Sequence, residues 1–271
     1  QHKIEFPVSE NVISLNDCEY VYFSGLHITK ANIAGIKIKK GSSIRISDSR
    51  ISYCGETGIR LSSSSNFTFT DNIVTDCFSN GMMLDDPGLT IIENNEFKRT
   101  STVQGMTNGT ERSGSSISCY RAQEDVTIQY NKFDSVMIAI QGHYSHAPLY
   151  IQYNLIDDYG MQLGDMGAIY LEGEGYGSIP KYVRKNIILN SHVDDETVTP
   201  TGLGNYTHGI YLDYDCAGVL IDSNTIVNTT AAIKFNRVRS NKVTNNNFAF
   251  TGNYVSTEWR TAVVWNQNTG G

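Results

Sequence analysis

Apolar residues in this chain come in short alternating bursts, and the bursts repeat one four-residue phrase: small, apolar, variable, apolar. It reads Gly35-Ile36-Lys37-Ile38, Gly58-Ile59-Arg60-Leu61, Gly81-Met82-Met83-Leu84, Ser116-Ile117-Ser118-Cys119 and Ala139-Ile140-Gln141-Gly142. It continues as Ala168-Ile169-Tyr170-Leu171, Gly209-Ile210-Tyr211-Leu212, Ala232-Ile233-Lys234-Phe235 and Ala262-Val263-Val264-Trp265. Alternation over so few residues predicts half-buried strands, and helical spacing is nearly absent. The commonest interval between copies is 23 residues. A fixed period of that size predicts coils stacked into a solenoid.

A second phrase, Asn-x-apolar, runs between the first: Asn72, Asn95, Asn131, Asn154, Asn186, Asn224 and Asn246. Asparagine tolerates left-handed backbone, which suits a sharp turn, and stacked asparagines can bond to one another as a ladder. Two phrases with one period predict an all-β, right-handed parallel β-helix of about nine to ten coils. Residues 1–271 read as one elongated domain. Neither end shows a convincing cap, so the chain reads as a mature form or a piece of something longer.

Longer intervals locate insertions. About twelve extra residues fall near Thr100 to Gly114, and eighteen between Leu171 and Gly209, including His192 to Glu196 and Gly202 to Asn205. Six more lie around His143 to His146 or Tyr159 to Asp165. Insertions grouped on neighbouring coils are expected to wall a binding surface.

Composition narrows the partners. The net charge of −7 argues against nucleic acid and anionic membrane. No apolar stretch approaches the length of a membrane span. Five cysteines show no zinc-ligand spacing; Cys54 and Cys77 share a column, where buried thiols filling the core are expected.

Alternate residues of a strand face opposite sides. With the second and fourth phrase positions inside, the third forms an outer column: Lys37, Arg60, Met83, Ser118, Gln141, Tyr170, Tyr211, Lys234 and Val264. The fifth forms another: Lys39, Ser62, Asp85, Tyr120, His143, Glu172, Asp213, Asn236 and Asn266. Both are expected to face solvent. From Gln141 to Asn236 they gather aromatic, carboxylate, imidazole and amide groups, as a sugar-binding cleft requires. Glu172 and Asp213 are expected on neighbouring rungs about 4.8 Å apart, close enough for one carboxyl to raise the proton affinity of the other. That spacing fits a retaining double displacement. Tyr170 and Tyr211 read as sugar platforms, and His143, Gln141, Lys234, Asn236, Asp215 and His208 as substrate contacts. No cofactor is expected; calcium is left open, as is whether a metal sits among Asp213, Asp215 and Glu172.

The segments Gly164-Asp165-Met166-Gly167-Ala168-Ile169-Tyr170, His208-Gly209-Ile210-Tyr211-Leu212-Asp213 and Gly218-Val219-Leu220-Ile221-Asp222-Ser223-Asn224 resemble β-helix glycoside hydrolases of families 141 and 120. These include xylanase, xylosidase and fucosidase activities. The repeat resemblance covers nearly the whole chain, and its specific part about 60 residues. It implies carboxylate catalysis at strand ends, at Asp165 and Asp213, with Glu172 the competing partner of Asp213. The β-sandwich that family 141 enzymes usually carry is not in this chain.

The expected function is therefore cleavage of a plant or algal cell-wall polysaccharide or oligosaccharide by a secreted or periplasmic hydrolase. A polysaccharide lyase acting on uronic acids would use Lys234 or Arg237 as base. A non-catalytic glycan-binding solenoid would use the same columns for recognition alone.

Overall fold

The computed structural model describes residues 7–103, 105–107, 113–161, 166–173, 179–192, 207–249 and 264–267. Its strands, β1 to β28 in chain order, run three to a coil, beginning with β1 (Asn11–Asn16), β2 (Tyr22–Ser24) and β3 (His27–Thr29). Each strand pairs in parallel with its counterpart one coil on, giving sheets of ten, nine and nine strands. Nine full coils form the right-handed parallel β-helix, and β28 (Val264–Gln267) opens a tenth.

The columns read from the sequence are the observed register. Lys37, Arg60, Met83, Ser118, Gln141, Tyr170, Tyr211 and Lys234 pair in succession along the ten-stranded sheet. The apolar positions on either side, such as Ile59, Leu61, Met82 and Leu84, are completely buried. The small residue of each phrase sits where the next coil comes closest. A Cβ on Gly58 would lie 2.6 Å from the Gly81 carbonyl oxygen. Gly55 is tighter, since its Cβ would meet the Asn32 carbonyl oxygen at 2.1 Å. Gly55→Ala is expected to cost about 2–4 kcal/mol as overpacking against backbone that cannot yield. Thermal unfolding followed by circular dichroism would check it, and an unchanged midpoint would contradict the close approach.

Two details depart from the sequence reading. The ten-stranded sheet starts one coil earlier, at β1, where half-exposed Val12 replaces the small residue and breaks the phrase. At the other end the register is one residue off: Lys234 pairs with Trp265, not Val264, and Asn236 with Gln267, not Asn266. The run Val263-Val264-Trp265 is apolar at every position, so alternation cannot fix its face.

The asparagine ladder is continuous. Asn72 donates its backbone N–H and its Nδ2 to Asn95 Oδ1, at 2.9 and 3.1 Å. Asn95, Asn131, Asn154, Asn186 and Asn224 each do the same to the next, ending on Asn246. The left-handed residue of the turn is not the asparagine but the one before it. Asp71, Asn94, Tyr130, Tyr153, Lys185, Ser223 and Asn245 have φ between 54° and 59°.

Insertions leave chiefly by one corner, between the third strand of a coil and the first of the next. The first lies between β12 (Glu96–Lys98) and β13 (Ser115–Tyr120), as expected. The six-residue insertion lies between β18 (Leu155–Tyr159) and β19 (Met166–Glu172), so His143 to His146 carries none of it. The eighteen divide. Lys181 to Val219 spans 38 residues against the usual 23, which puts fifteen between β21 (Ile187–Ser191) and β22 (Thr207–Asp213). The remaining three follow β19. Cys54, Cys77, Cys119 and Cys216 are buried free thiols.

Candidate active site

Glu172 ends β19 and Asp213 ends β22, and the two are Cα partners in the sheet. Each carboxylate is held by its own donors. Glu172 Oε2 lies 2.8 Å from His143 Nδ1, and its Oε1 accepts a 3.0 Å bond from the Tyr144 hydroxyl. Asp213 Oδ2 accepts from the Tyr170 hydroxyl at 2.8 Å, while Oδ1 accepts from Asn236 Nδ2 at 2.6 Å and the Tyr214 backbone N–H at 2.9 Å.

These bonds set the charges. The His143 hydrogen bond, with Tyr144 behind it, holds the Glu172 carboxyl below the usual carboxylate range against the opposing effect of burial. The expected mutual rise in proton affinity is thus not what Glu172 shows. Burial, then the Asp213 charge, pushes the Tyr170 phenol far up, so it remains a hydrogen-bond donor. A carboxyl lowered on folding contributes stability above its unfolded value, near 4.5, and loses it as pH falls through the lower folded value. The thermal midpoint is therefore expected to drop below about pH 4.5, and Glu172→Gln to show a shallower drop. Equal slopes in the two proteins would contradict the assignment.

The outer face is not open as the alternation suggested. Gln141, His143, Tyr211, Asp213 and Lys234 are all at most 5% exposed, and Glu172 and Tyr170 are half-buried. Alternation reports the side of the sheet, not what covers it. Met137, Ile138 and Met166 form an apolar cluster separate from the core, and Tyr170 packs against it.

Tyr211 is not a free platform. Lys234 Nζ sits 4.3 Å from its ring centre, and Tyr170 meets it edge-on at 5.1 Å. His208, expected as a substrate contact, is completely buried with its ring 5.4 Å from Tyr211. Burial, then Lys234, pushes its imidazole well below the usual range, so it is neutral. Asp215 lies past the strand end on an exposed turn and joins neither carboxylate. Asp165 lies outside the described residues. Among the described residues, no three His, Cys, Asp or Glu side chains are grouped as a metal site.

Tyr144 was missing from the sequence reading. The residue after the fifth column is left-handed in most coils, with φ of 47° to 55° at Lys40, Ser63, Asp86, Arg121, Tyr144 and Arg237. That geometry turns the chain off the strand and lets Tyr144 reach the same carboxylate as His143. The period does mark this sixth position, so it could have been read as a column. Elsewhere, a cleft of about 730 Å³ opens at the amino-terminal coils beside Lys30, Ile33, Tyr53, Glu56, Phe78 and Met106. It shares no residue with the carboxylate pair.

Solved structures share the fold. A glycoside hydrolase superposes with a TM-score of 0.64 at 16% identity, covering 79% of this chain and 38% of that one. The catalytic unit of a thermostable GH87 α-1,3-glucanase from Streptomyces thermodiastaticus gives 0.56 at 11% identity, covering 94% and 50%. PfbA, a surface adhesin of Streptococcus pneumoniae, gives 0.51 at 14%, covering 90% and 58%. The chain thus spans between about two-fifths and three-fifths of these proteins, and at such identities the likeness establishes fold alone. No curated protein sequence matches the chain. The family described as right handed beta helix region matches residues 9–175, more than half of the sequence, and the chain belongs to it.

Proposed function

We propose that this chain is a glycoside hydrolase cleaving a plant or algal cell-wall polysaccharide or oligosaccharide of xylan- or fucose-containing type. It would act as a secreted or periplasmic protein, in the manner of families 141 and 120. One observation carries the reading. Glu172 and Asp213 occupy adjacent rungs of one sheet, each with its own hydrogen-bond donors. Asp213 is the carboxylate that meets the anomeric carbon, and the proton moves on the Glu172 side. Rungs about 4.8 Å apart favour retention of configuration. Tyr170 and Gln141 offer stacking and amide contacts, while Asn236 orients Asp213.

The test is a panel of polysaccharides, with product masses and the first-formed anomer read by proton NMR. A new reducing end of retained configuration is the expected product. A product absorbing in the ultraviolet through a new double bond would replace this reading with a lyase, using Lys234 or Arg237. Binding without turnover would leave a recognition solenoid.

A further inference from the structure

We propose that His143 carries the proton of this reaction on its Nε2, with Glu172 and Tyr144 as positioning residues behind it. The inference rests on the hydrolase reading and fills a gap in it. Asp213 accepts three hydrogen bonds and Glu172 accepts two, so neither carboxylate is arranged to give a proton away.

The geometry singles out one atom. His143 Nδ1 faces Glu172 Oε2 at 2.8 Å, and Tyr144 fixes the other Glu172 oxygen. A charged carboxylate there keeps the proton on Nδ1 and leaves Nε2 as the nitrogen that gains and loses one. Nε2 has no hydrogen-bond partner, although the residue is only 3% exposed. A buried nitrogen without a partner is costly, so such an atom is accounted for when a ligand or water completes it. The groups facing the ring are Tyr120, its strand neighbour on β13; Tyr144 beside it; and Tyr170 and Glu172 on β19. Arg121 turns away and pairs with Asp86 at 2.7 Å. Glu172 is therefore the anionic partner of the imidazole.

The chemistry closes. The Asp213 carboxylate forms a bond to the anomeric carbon as the glycosidic C–O bond breaks. That electron pair stays on the leaving oxygen, which takes the proton from His143 Nε2. A water then attacks the same carbon, gives its proton to Nε2 and releases Asp213. One glycoside and one water become two hydroxyl-bearing sugars, and the imidazolium is restored.

Two variants and one spectrum test this. His143→Asn keeps a donor toward Glu172 but removes Nε2; it is expected to lower kcat at least about 10²-fold with little change in KM, and to erase the alkaline limb of the pH–rate profile. Glu172→Gln removes the partner charge and is expected to move that limb to lower pH. In the substrate-free protein, ¹⁵N NMR should show the neutral His143 ring protonated on Nδ1 with Nε2 bare, and this tautomer preference should weaken in Glu172→Gln. Wild-type kcat with an unchanged limb in His143→Asn, or a neutral tautomer protonated on Nε2, would overturn the assignment. If Asp213→Asn is dead while His143→Asn keeps its profile, the hydrolase stands and His143 is excluded. If the native chain cleaves no glycan, the hydrolase reading falls and takes this role with it. Should His143→Asn fail to fold, Glu172→Gln and the spectrum decide.

Discussion

Asp213→Asn is expected to abolish hydrolysis, lowering kcat at least about 10³-fold, while leaving the thermal midpoint within a few degrees of the native protein. The two halves of that expectation come from the same contacts. An asparagine Oδ1 still accepts from Asn236 and the Tyr214 N–H, and the Tyr170 hydroxyl can rotate to accept from the new amide. The site thus keeps its shape and loses only its charge and its nucleophile. Kinetics on the cleaved polysaccharide, with melting curves alongside, give the answer. Retained turnover would remove Asp213 from the mechanism, and a collapsed fold would mean that the side chain is chiefly structural.

The largest stability effect is expected inside the asparagine ladder. Asn131 Oδ1 accepts from the Asn95 N–H and Nδ2, and the two hydrogens of its own Nδ2 are shared among Ile92 O, Gln129 O and Asn154 Oδ1, 2.9 to 3.1 Å away. Asn131→Ala strands these groups in a dry interior, at a cost of about 3–5 kcal/mol. The thermal midpoint should fall by roughly 10 °C. Asn246, half-buried at the end of the ladder, should cost only about 1 kcal/mol on the same replacement. Equal losses at the two positions would mean that the ladder does not act as a connected array.

The sequence carried the register of the fold and little of its depth. A phrase recurring on a 23-residue period, lengthened to 29 and 41 residues by insertions, let Gln141, Tyr170, Tyr211 and Lys234 be stacked correctly without coordinates, because each coil repeats its neighbour's backbone. The same period failed at Trp265, where three consecutive apolar residues erase the alternation. Burial was not legible, since a column of Gln, Tyr and Lys reads as surface in any alternating scheme. His208 and Asp215 were drawn to the site by proximity in sequence. The chain turns at Tyr214, sending Asp215 into solvent while His208 lies under Tyr211. Tyr144 was missed because a left-handed residue leaves the two-residue rhythm on which the columns rest.

Among the described residues, the corner that takes the three longest insertions shows no asparagine ladder, and the corner with the ladder takes no insertion. An amide that must meet its neighbour on both sides admits no added length, so variation is confined to the opposite hinge. The molecule therefore separates a corner of fixed length from one of variable length. The lengths of the connections from β12 to β13, β18 to β19 and β21 to β22 can change while the strands on either side keep their register.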